Sequence, residues 1–121
     1  MSRMKKDVGD RGEELAAAYL EGKGYRILVR NFRTKMGELD IVAREPGNRL
    51  VFVEVKTRRG NLYGSGAEAV TAAKQRHLLL AAEVFLSQRK LWNLPMRFDV
   101  VEITWRGDEP IIRHIENAFG A

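Results

Sequence analysis

The feature that most constrains the fold is a pair of runs in which residues alternate as they do in β-strands. The first run is residues 38–44 (ELDIVAR) and the second is residues 50–57 (LVFVEVKT). The segment EPGNR between them carries the proline, glycine and asparagine of a turn. Each run has one uniformly apolar face, and the second run is apolar on both sides of its glutamate. We therefore predict a hairpin whose second strand lies inside a sheet and not at its edge.

The same alternation predicts which charged side chains meet. Successive side chains of a strand point to opposite faces, so Glu38 and Asp40 share a face in the first run, and Glu54 and Lys56 share one in the second. Pairing through the EPGNR turn brings Asp40 close to Glu54, with Lys56 one pleat further along. The opposite face of the first run consists of Leu39, Ile41 and Ala43.

Carboxylates that converge on one sheet face indicate a cation. Like charges repel and burial removes their water, whereas Mg²⁺ takes one or two protein carboxylates together with waters and phosphate oxygens. Asp40 and Glu54 suit such an ion, and Lys56 could stabilise an anionic transition state or orient and deprotonate an attacking water. This is the equipment of metal-assisted phosphodiester hydrolysis. An E-x-K pattern alone more often means a solvated edge or a weak cross-strand ion pair, but the apolar context of Glu54 argues against that alternative.

The rest of the chain reads as one domain, residues 1–121, with the element order α-β-β-β-α-β-β. An amphipathic helix is predicted over residues 7–21, and strands are predicted in YRILVRN, MRFDVVEITW and IIRHIE. The second helix is expected to begin at about Glu68 or Thr71 and to end at Arg89. This order predicts an α/β domain with a central mixed β-sheet flanked by helices. The predicted broad apolar face of the second helix consists of Val70, Ala73, His77, Leu80, Ala81 and Val84.

Composition excludes several classes of function. The chain has 21 Lys and Arg against 16 Asp and Glu, a net charge of +5, and no cysteine, so thiol catalysis and Cys-based zinc sites are excluded. His77 and His114 are isolated, which argues against zinc, and no Gly-rich phosphate loop indicates an NTPase. The start, MSRMKKDVGDRG, lacks the apolar stretch of a secretory signal, so we expect a cytoplasmic protein with no membrane partner.

The strand motifs belong to a longer set that resembles a known family. The set comprises GExxA from residue 12, GY from residue 24, NxR from residue 31, GELDIV from residue 37, VFVEVKTR from residue 51, AVxxxK from residue 69 and RFDVV from residue 97. It resembles the YraN-type family of small bacterial proteins, which is similar to archaeal Holliday-junction resolvases within the PD-(D/E)xK nuclease superfamily. The resemblance implies a restriction-endonuclease-like fold.

Carried over by position, the resemblance also implies roles for individual residues. Asp40 and Glu54 would be metal ligands, the backbone carbonyl of Val55 a further ligand, and Lys56 the catalytic amine. Glu13 occupies the place of a glutamate that reaches the site from the first helix, and its angular position beside the apolar stripe is compatible with that role. Leu39 replaces the proline that names the motif. Glu38 could be a further ligand, an orienting group, or an ion-pair partner of Arg33 or Lys35.

These observations predict a Mg²⁺- or Mn²⁺-dependent nuclease that acts on DNA more readily than on RNA, with branched or junction DNA as a candidate substrate. A non-catalytic nucleic-acid-binding module and a structural partner of another protein are the alternatives. A homodimer follows only if the analogy with junction resolvases holds. Basic and aromatic side chains around the acidic cluster would contact the nucleic acid. The residues predicted for this contact are Arg33, Lys35, Arg58, Arg59, Tyr63 and Lys74.

Overall fold

The computed structural model describes residues 2–59 and 70–120, and the side chains of residues 11–58 and 70–120. The element order α-β-β-β-α-β-β is confirmed. The predicted extent of the second strand of the chain is also confirmed, and the second helix ends at Arg89 as predicted. The first helix and the other four strands are longer than predicted. The elements are α1 (Ser2–Gly22), β1 (Arg26–Arg33), β2 (Glu38–Arg44), β3 (Leu50–Arg59), α2 (Ala72–Arg89), β4 (Met96–Arg106) and β5 (Glu109–Phe119).

The strands form one five-stranded sheet in the order β1-β2-β3-β4-β5. The pairs β1–β2, β2–β3 and β4–β5 are antiparallel, and β3–β4, which are connected through α2, are parallel. The sheet is therefore mixed, as predicted. The hairpin of β2 and β3 is confirmed, with Val42 opposite Phe52, and β3 is the central strand.

The two helices cover opposite faces of this sheet. On one face Ala16 and Leu20 of α1 pack in a buried cluster with Val51 and Val101. On the other face α2 packs on the sheet through Phe85, which meets the ring of Phe52 edge-on with centroids 6.0 Å apart. Burial of apolar surface on both faces explains why β3 is apolar on both sides.

The N-terminus of α2 is set by a hydroxyl cap. Thr71 has an extended backbone, and its Oγ1 accepts a hydrogen bond from the N–H of Lys74 at 3.1 Å. The later of the two predicted starts is thus the observed one. The helix ends at Arg89 and is capped by Lys90, which has a left-handed backbone with φ of 55°.

The predicted buried face of α2 is wrong in part. Ala73, His77 and Leu80 are exposed, although Ala81 is buried as predicted. The middle of this helix is apolar on nearly every side, so the sequence period does not determine which side faces the sheet. That side is determined by packing, because the space over Phe52 accepts the large ring of Phe85. The buried residues of α2 are Leu78, Ala81, Ala82, Phe85 and Leu86.

The predicted alternation in β2 also fails at one position. Leu39 was expected on the same face as Ile41, but it packs in the α2-side cluster, whereas Ile41 packs in the α1-side cluster. Leu39 still pairs with Phe32 of β1, but the register of β2 with β3 runs only from Ile41 to Arg44. Leu39 therefore lies beyond the part of β2 that pairs with β3, and there the alternation of faces expected for a regular strand is lost.

No helix in the described part of the chain is long and apolar enough to cross a membrane.

Candidate active site

The candidate site lies where β2 separates from β3. At this point the carboxylate of Asp40 takes the place of a backbone acceptor, since its Oδ2 accepts a hydrogen bond from the N–H of Val55 at 2.8 Å. The bond ties the side chain of β2 to the backbone of β3 immediately after Glu54. The position of the Asp40 carboxylate is therefore fixed relative to the E-x-K segment.

The surroundings of Asp40 make its charge unfavourable. Burial raises the pKa of Asp40, and the negative charge of Glu54 raises it further. The N–H of Val55 acts in the opposite direction, while Glu13 and Glu38 add smaller repulsions, and the resulting pKa is about 7. The structure thus brings Asp40 within the electrostatic influence of Glu54, Glu13 and Glu38, the other acids named from the sequence.

Glu54 is buried, and two lysines share one of its oxygens. Its side chain is 6% exposed, and Oε1 lies 3.5 Å from Lys56 Nζ and 3.6 Å from Lys74 Nζ. The other oxygen, Oε2, is buried and has no hydrogen-bond partner among the described residues. A buried oxygen of this kind is costly unless a ligand or an ion completes its coordination.

Each helix contributes one group to the site. Lys74 comes from the first turn of α2, where the Thr71 cap fixes the helix start, so the helix N-terminus adds a favourable field for an anion. On α1, Gly12 lies so close to Thr57 of β3 that a Cβ at Gly12 would overlap Thr57 Oγ1. This close approach brings the next residue, Glu13, near Asp40.

The donor set fits a hard cation only in part. Within residues 2–59 and 70–120, no group of three or more His, Cys, Asp or Glu side chains is arranged to hold a metal ion. Asp40 and Glu54 supply two carboxylates, and Glu54 Oε2 has an open coordination position. Mg²⁺ is commonly held in this way, by one or two carboxylates plus water and phosphate oxygens, whereas Ca²⁺ requires six to eight oxygens. The residues therefore fit Mg²⁺ or Mn²⁺ that is shared with a phosphate.

Of the three roles considered for Glu38, the structure shows an ion pair. Glu38 Oε1 lies 3.5 Å from Arg33 Nε, and the Arg33 side chain is 77% exposed. Lys35 is also exposed. Arg33 and Lys35 are thus accessible to a ligand beside the candidate site, as their predicted role requires.

The other predicted contacts with nucleic acid are less accessible or lie outside what the structure describes. The Arg58 side chain is 16% exposed, and its Nε lies 4.0 Å from Glu102 Oε2. Its charge is therefore directed at a buried carboxylate of β4 and not at solvent. Tyr63 and the side chain of Arg59 lie outside the described part of the chain.

The sequence did not point to a second buried charge cluster on the α1 side of the sheet. Arg97 binds Asp99 through two hydrogen bonds of 2.8 Å each, and Arg97 Nη2 donates a third to Tyr25 Oη at 2.8 Å. Arg97 Nη1 also lies 3.3 Å from Glu45 Oε2. The bonds to Asp99 raise the pKa of Arg97 above its usual value. The signal was present, since RFDVV puts two charges in an otherwise apolar strand.

Asp99 connects β4 to β5. It is fully buried and accepts hydrogen bonds from His114 Nε2 at 2.7 Å and from the N–H of Asn117 at 2.9 Å. Burial acts to raise the pKa of Asp99, but the bonds from His114, Arg97 and Asn117 outweigh it and hold the pKa below the usual value. Because an ionised Asp99 only accepts, Nε2 of His114 carries the proton, and Nδ1 accepts from Lys23 Nζ at 3.0 Å.

Comparison with known proteins identifies the family. The model of the "Uncharacterised protein family UPF0102" matches residues 12–103. A UPF0102 protein of Syntrophotalea carbinolica is 50% identical over 119 residues, which are 98% of this chain and 96% of that protein. A UPF0102 protein of Symbiobacterium thermophilum is 50% identical over 119 residues, which are 98% of this chain and 100% of that protein. A third, of Pelobacter propionicus, is 54% identical over 116 residues, covering 94% of this chain and 83% of that protein. The resemblance to the YraN-type family is thereby confirmed, and the chain belongs to the UPF0102 family.

Proposed function

We propose that this chain is a restriction-endonuclease-like nuclease of the PD-(D/E)xK type that hydrolyses DNA phosphodiesters with Mg²⁺ or Mn²⁺. The observation that carries the proposal is the pair of half-buried Asp40 and buried Glu54, which repel each other while two lysines face Glu54. Two carboxylates that repel each other across a buried gap are a stable arrangement once a divalent cation lies between them. The two lysines that lie beside Glu54 carry positive charges, which would attract an anionic substrate and stabilise its transition state.

The acidic residues of the site would hold a cation, and the basic residues would bind a phosphate. Asp40 and Glu54 would hold the ion, with the backbone carbonyl of Val55 as a further donor. When bound, the ion supplies a Lewis acid for the phosphodiester and lowers the pKa of a water. Lys56 would then orient the attacking water and stabilise the charge that develops on the phosphate. Lys74 would contact a phosphate oxygen, since it is 41% exposed while its charge lies 3.6 Å from Glu54.

Glu13 would act on the water molecules that hydrate a bound ion. It lies on α1 close enough to Asp40 to repel it electrostatically, so its carboxylate is near enough to take part in the hydration of a bound ion.

The net charge of +5 favours association with a polyanion in general. We propose a cytoplasmic location, with branched or junction DNA in repair or recombination as the substrate.

The test is a cleavage assay on labelled junctions, flaps, duplex and single strands in Mg²⁺ and in Mn²⁺. Wild-type protein is compared with Asp40→Asn and Lys56→Ala. Metal-dependent cleavage that both substitutions abolish is the expected result. Cleavage that survives in both variants comes from a contaminant and overturns the proposal.

A second candidate function is a nucleic-acid-binding module without turnover. The observation that favours it is the absence, among the described residues, of three metal-holding side chains in one group. This function predicts binding that weakens with salt, with no metal-dependent hydrolysis. A metal titration followed by melting temperature separates the two. Millimolar Mn²⁺ raises the melting temperature of a nuclease with this site but not that of its Asp40→Asn variant, whereas a module without a metal site responds in neither form.

A further inference from the structure

The turn that joins β1 to β2 is held in one shape by Thr34. Its Oγ1 accepts hydrogen bonds from the N–H groups of Met36 and Gly37, both at 3.0 Å, and lies 2.9 Å from the carbonyl oxygen of Gly37, to which it donates. The N–H of Thr34 also donates to that carbonyl at 2.9 Å. Four hydrogen bonds within residues 34–37 leave the turn little conformational freedom.

The turn is also fixed against α2. A Cβ at Gly37 would lie 2.7 Å from the backbone carbonyl oxygen of His77, closer than side-chain carbons approach such an atom. Only glycine permits this contact. The turn at residues 34–37 therefore has a defined position relative to the helix that carries Lys74.

Met36 lies at the outer side of this rigid turn and is 54% exposed. The turn does not need a large apolar side chain there, because Thr34 and Gly37 make its internal bonds. Lys35 precedes Met36, is exposed, and makes no ion pair with any described residue. Arg33 lies at the end of β1 with its side chain 77% exposed. The surface therefore offers one apolar side chain next to two exposed cations that precede it in the chain.

The turn lies close to the candidate active site. Asp40 follows Met36 by four residues, and the chain between them leaves the turn and enters β2, so the two lie at most roughly 13 Å apart at 3.3 Å per residue. In duplex DNA this distance spans about four base-pair steps of 3.4 Å. A nucleic acid with one phosphate at Lys56 and Lys74 would thus have bases within reach of Met36.

We propose that Met36 is a wedge, meaning an apolar side chain that packs against an unstacked base, and that it selects nucleic acid with a break in its base stacking. A branch point or a flap offers such a base beside a phosphate backbone, while intact duplex does not. Proteins that insert Met, Leu or Phe between base steps also combine an apolar side chain with neighbouring cations. The proposal rests on the proposed function, since the active site determines which strand lies near the turn.

The test uses flap DNA that carries the fluorescent base 2-aminopurine at the branch. Binding is measured in EDTA, where no hydrolysis occurs, and single-turnover cleavage is measured with Mn²⁺. The variant is Met36→Ala. The matched control is Ile111→Ala, which shortens an equally exposed apolar side chain, 45% exposed, on the opposite edge strand β5.

Wild type and Ile111→Ala are expected to raise the fluorescence at the branch, because the base leaves the stack. Met36→Ala is expected to lose this rise and to cleave flap DNA roughly 5- to 100-fold more slowly, the range that loss of one stacking contact gives. Its salt dependence of binding is expected to stay that of wild type, since no charge is removed.

The outcomes separate this proposal from the nuclease proposal. An unchanged fluorescence rise in Met36→Ala overturns the wedge, whether or not the protein cleaves DNA. A rise that depends on Met36 without any cleavage by wild type supports the wedge and contradicts the nuclease. Failure of wild type to bind any of the DNA substrates contradicts both.

Discussion

Asp40 accepts a hydrogen bond from the backbone N–H of Val55, 2.8 Å from its Oδ2, and so the candidate ligand of β2 is attached to the strand that carries Glu54. A carboxylate accepts this bond whether or not its other oxygen is protonated. The two acids consequently cannot relax away from each other when both are charged. The repulsion appears as a pKa of about 7 for Asp40.

The first prediction concerns pH and stability. The pKa of Asp40 rises from its ordinary 3.8 to about 7 on folding, so the native state holds this proton more tightly than the unfolded state. The contribution of Asp40 to the free energy of unfolding therefore falls as pH rises from about 3.8 to about 7, and the full cost is present above that window. Asp40→Asn removes the cost and keeps an acceptor for Val55. Without divalent ions it is expected to be more stable than wild type at pH 8 by about 1–3 kcal/mol, with the difference gone near pH 4.

Urea unfolding at several pH values measures this difference. Asp108→Asn is the control, because Asp108 is an exposed carboxylate of the β4–β5 turn. Equal stability of wild type and Asp40→Asn at pH 8 would show that the two acids do not repel each other in the folded protein.

The second prediction separates the roles of the two lysines on Glu54. Lys56→Gln is expected to lower the single-turnover rate of cleavage by about 100-fold or more, with little change in affinity, because its charge acts on the transition state. Lys74→Gln is expected to weaken DNA binding and to reduce the salt dependence by about one phosphate contact, or roughly 0.9 in the slope of log K against log salt.

Lys90→Gln is the matched control for both lysines, since it removes one charge at the opposite end of α2. Binding is measured by fluorescence anisotropy over a range of salt concentrations. If Lys74→Gln and Lys90→Gln give the same slope, Lys74 does not contact a phosphate.

The third prediction concerns the cluster on the α1 side. Asp99→Ala leaves Arg97 buried without its main partner, and loss of one member of a buried ion pair costs about 3–5 kcal/mol. Chemical denaturation should show this loss, and the Arg97→Met, Asp99→Leu double variant should regain much of it. Cleavage by the folded protein is expected to be unchanged, because neither residue contacts the candidate active site. A normal stability for Asp99→Ala would mean that Arg97 has another partner of equal value.

The fourth prediction concerns the contact between α1 and β3. Gly12→Ala places a methyl group against Thr57 Oγ1 and is expected to cost about 1–3 kcal/mol. Cleavage should also slow, because α1 carries Glu13. Removing the hydroxyl in the Gly12→Ala, Thr57→Ala double variant leaves Thr57 Cβ at 3.4 Å, which is ordinary contact, and should restore both properties.

Gly22→Ala is the control for this pair, since a Cβ there meets nothing within 4 Å. Thermal unfolding and cleavage are compared in all four proteins. A Gly12→Ala variant as stable and active as Gly22→Ala would rule out a role for the close contact in placing Glu13.

Local sequence pattern predicted the part of the site that is local in structure. The hairpin of β2 and β3 needed only alternation and a turn, and both lie within one short segment, so Asp40 and Glu54 could be paired in advance. The place of Lys74 in the site was predicted from the family resemblance, because sequence spacing alone does not determine how close the second helix lies to the hairpin. Neither the exposure of Met36 nor the contact of its turn with α2 through Gly37 and His77 could be predicted from the sequence, because both depend on tertiary packing.

The parts that could not be predicted depend on packing between distant segments. The rotation of α2 follows from where Phe85 fits, and the face of Leu39 follows from where β2 leaves β3. Arg97 and Asp99 carry the same signal in the sequence as Glu54, because a charge in an apolar strand needs a partner. Their partners Tyr25 and His114 come from opposite ends of the chain, and no sequence spacing connects them.

The parallel pairing of β3 with β4 has a consequence for the order in which the protein folds. The β2–β3 hairpin joins neighbouring segments and closes a short loop, whereas β4 can join β3 only after the chain has crossed through α2. Asp40 and Glu54 are therefore expected to meet early, while water still surrounds both carboxylates. Docking of α2 then removes that water and adds Lys74, so the repulsion between the two acids opposes a late step of folding. A divalent cation present during refolding should accelerate that step.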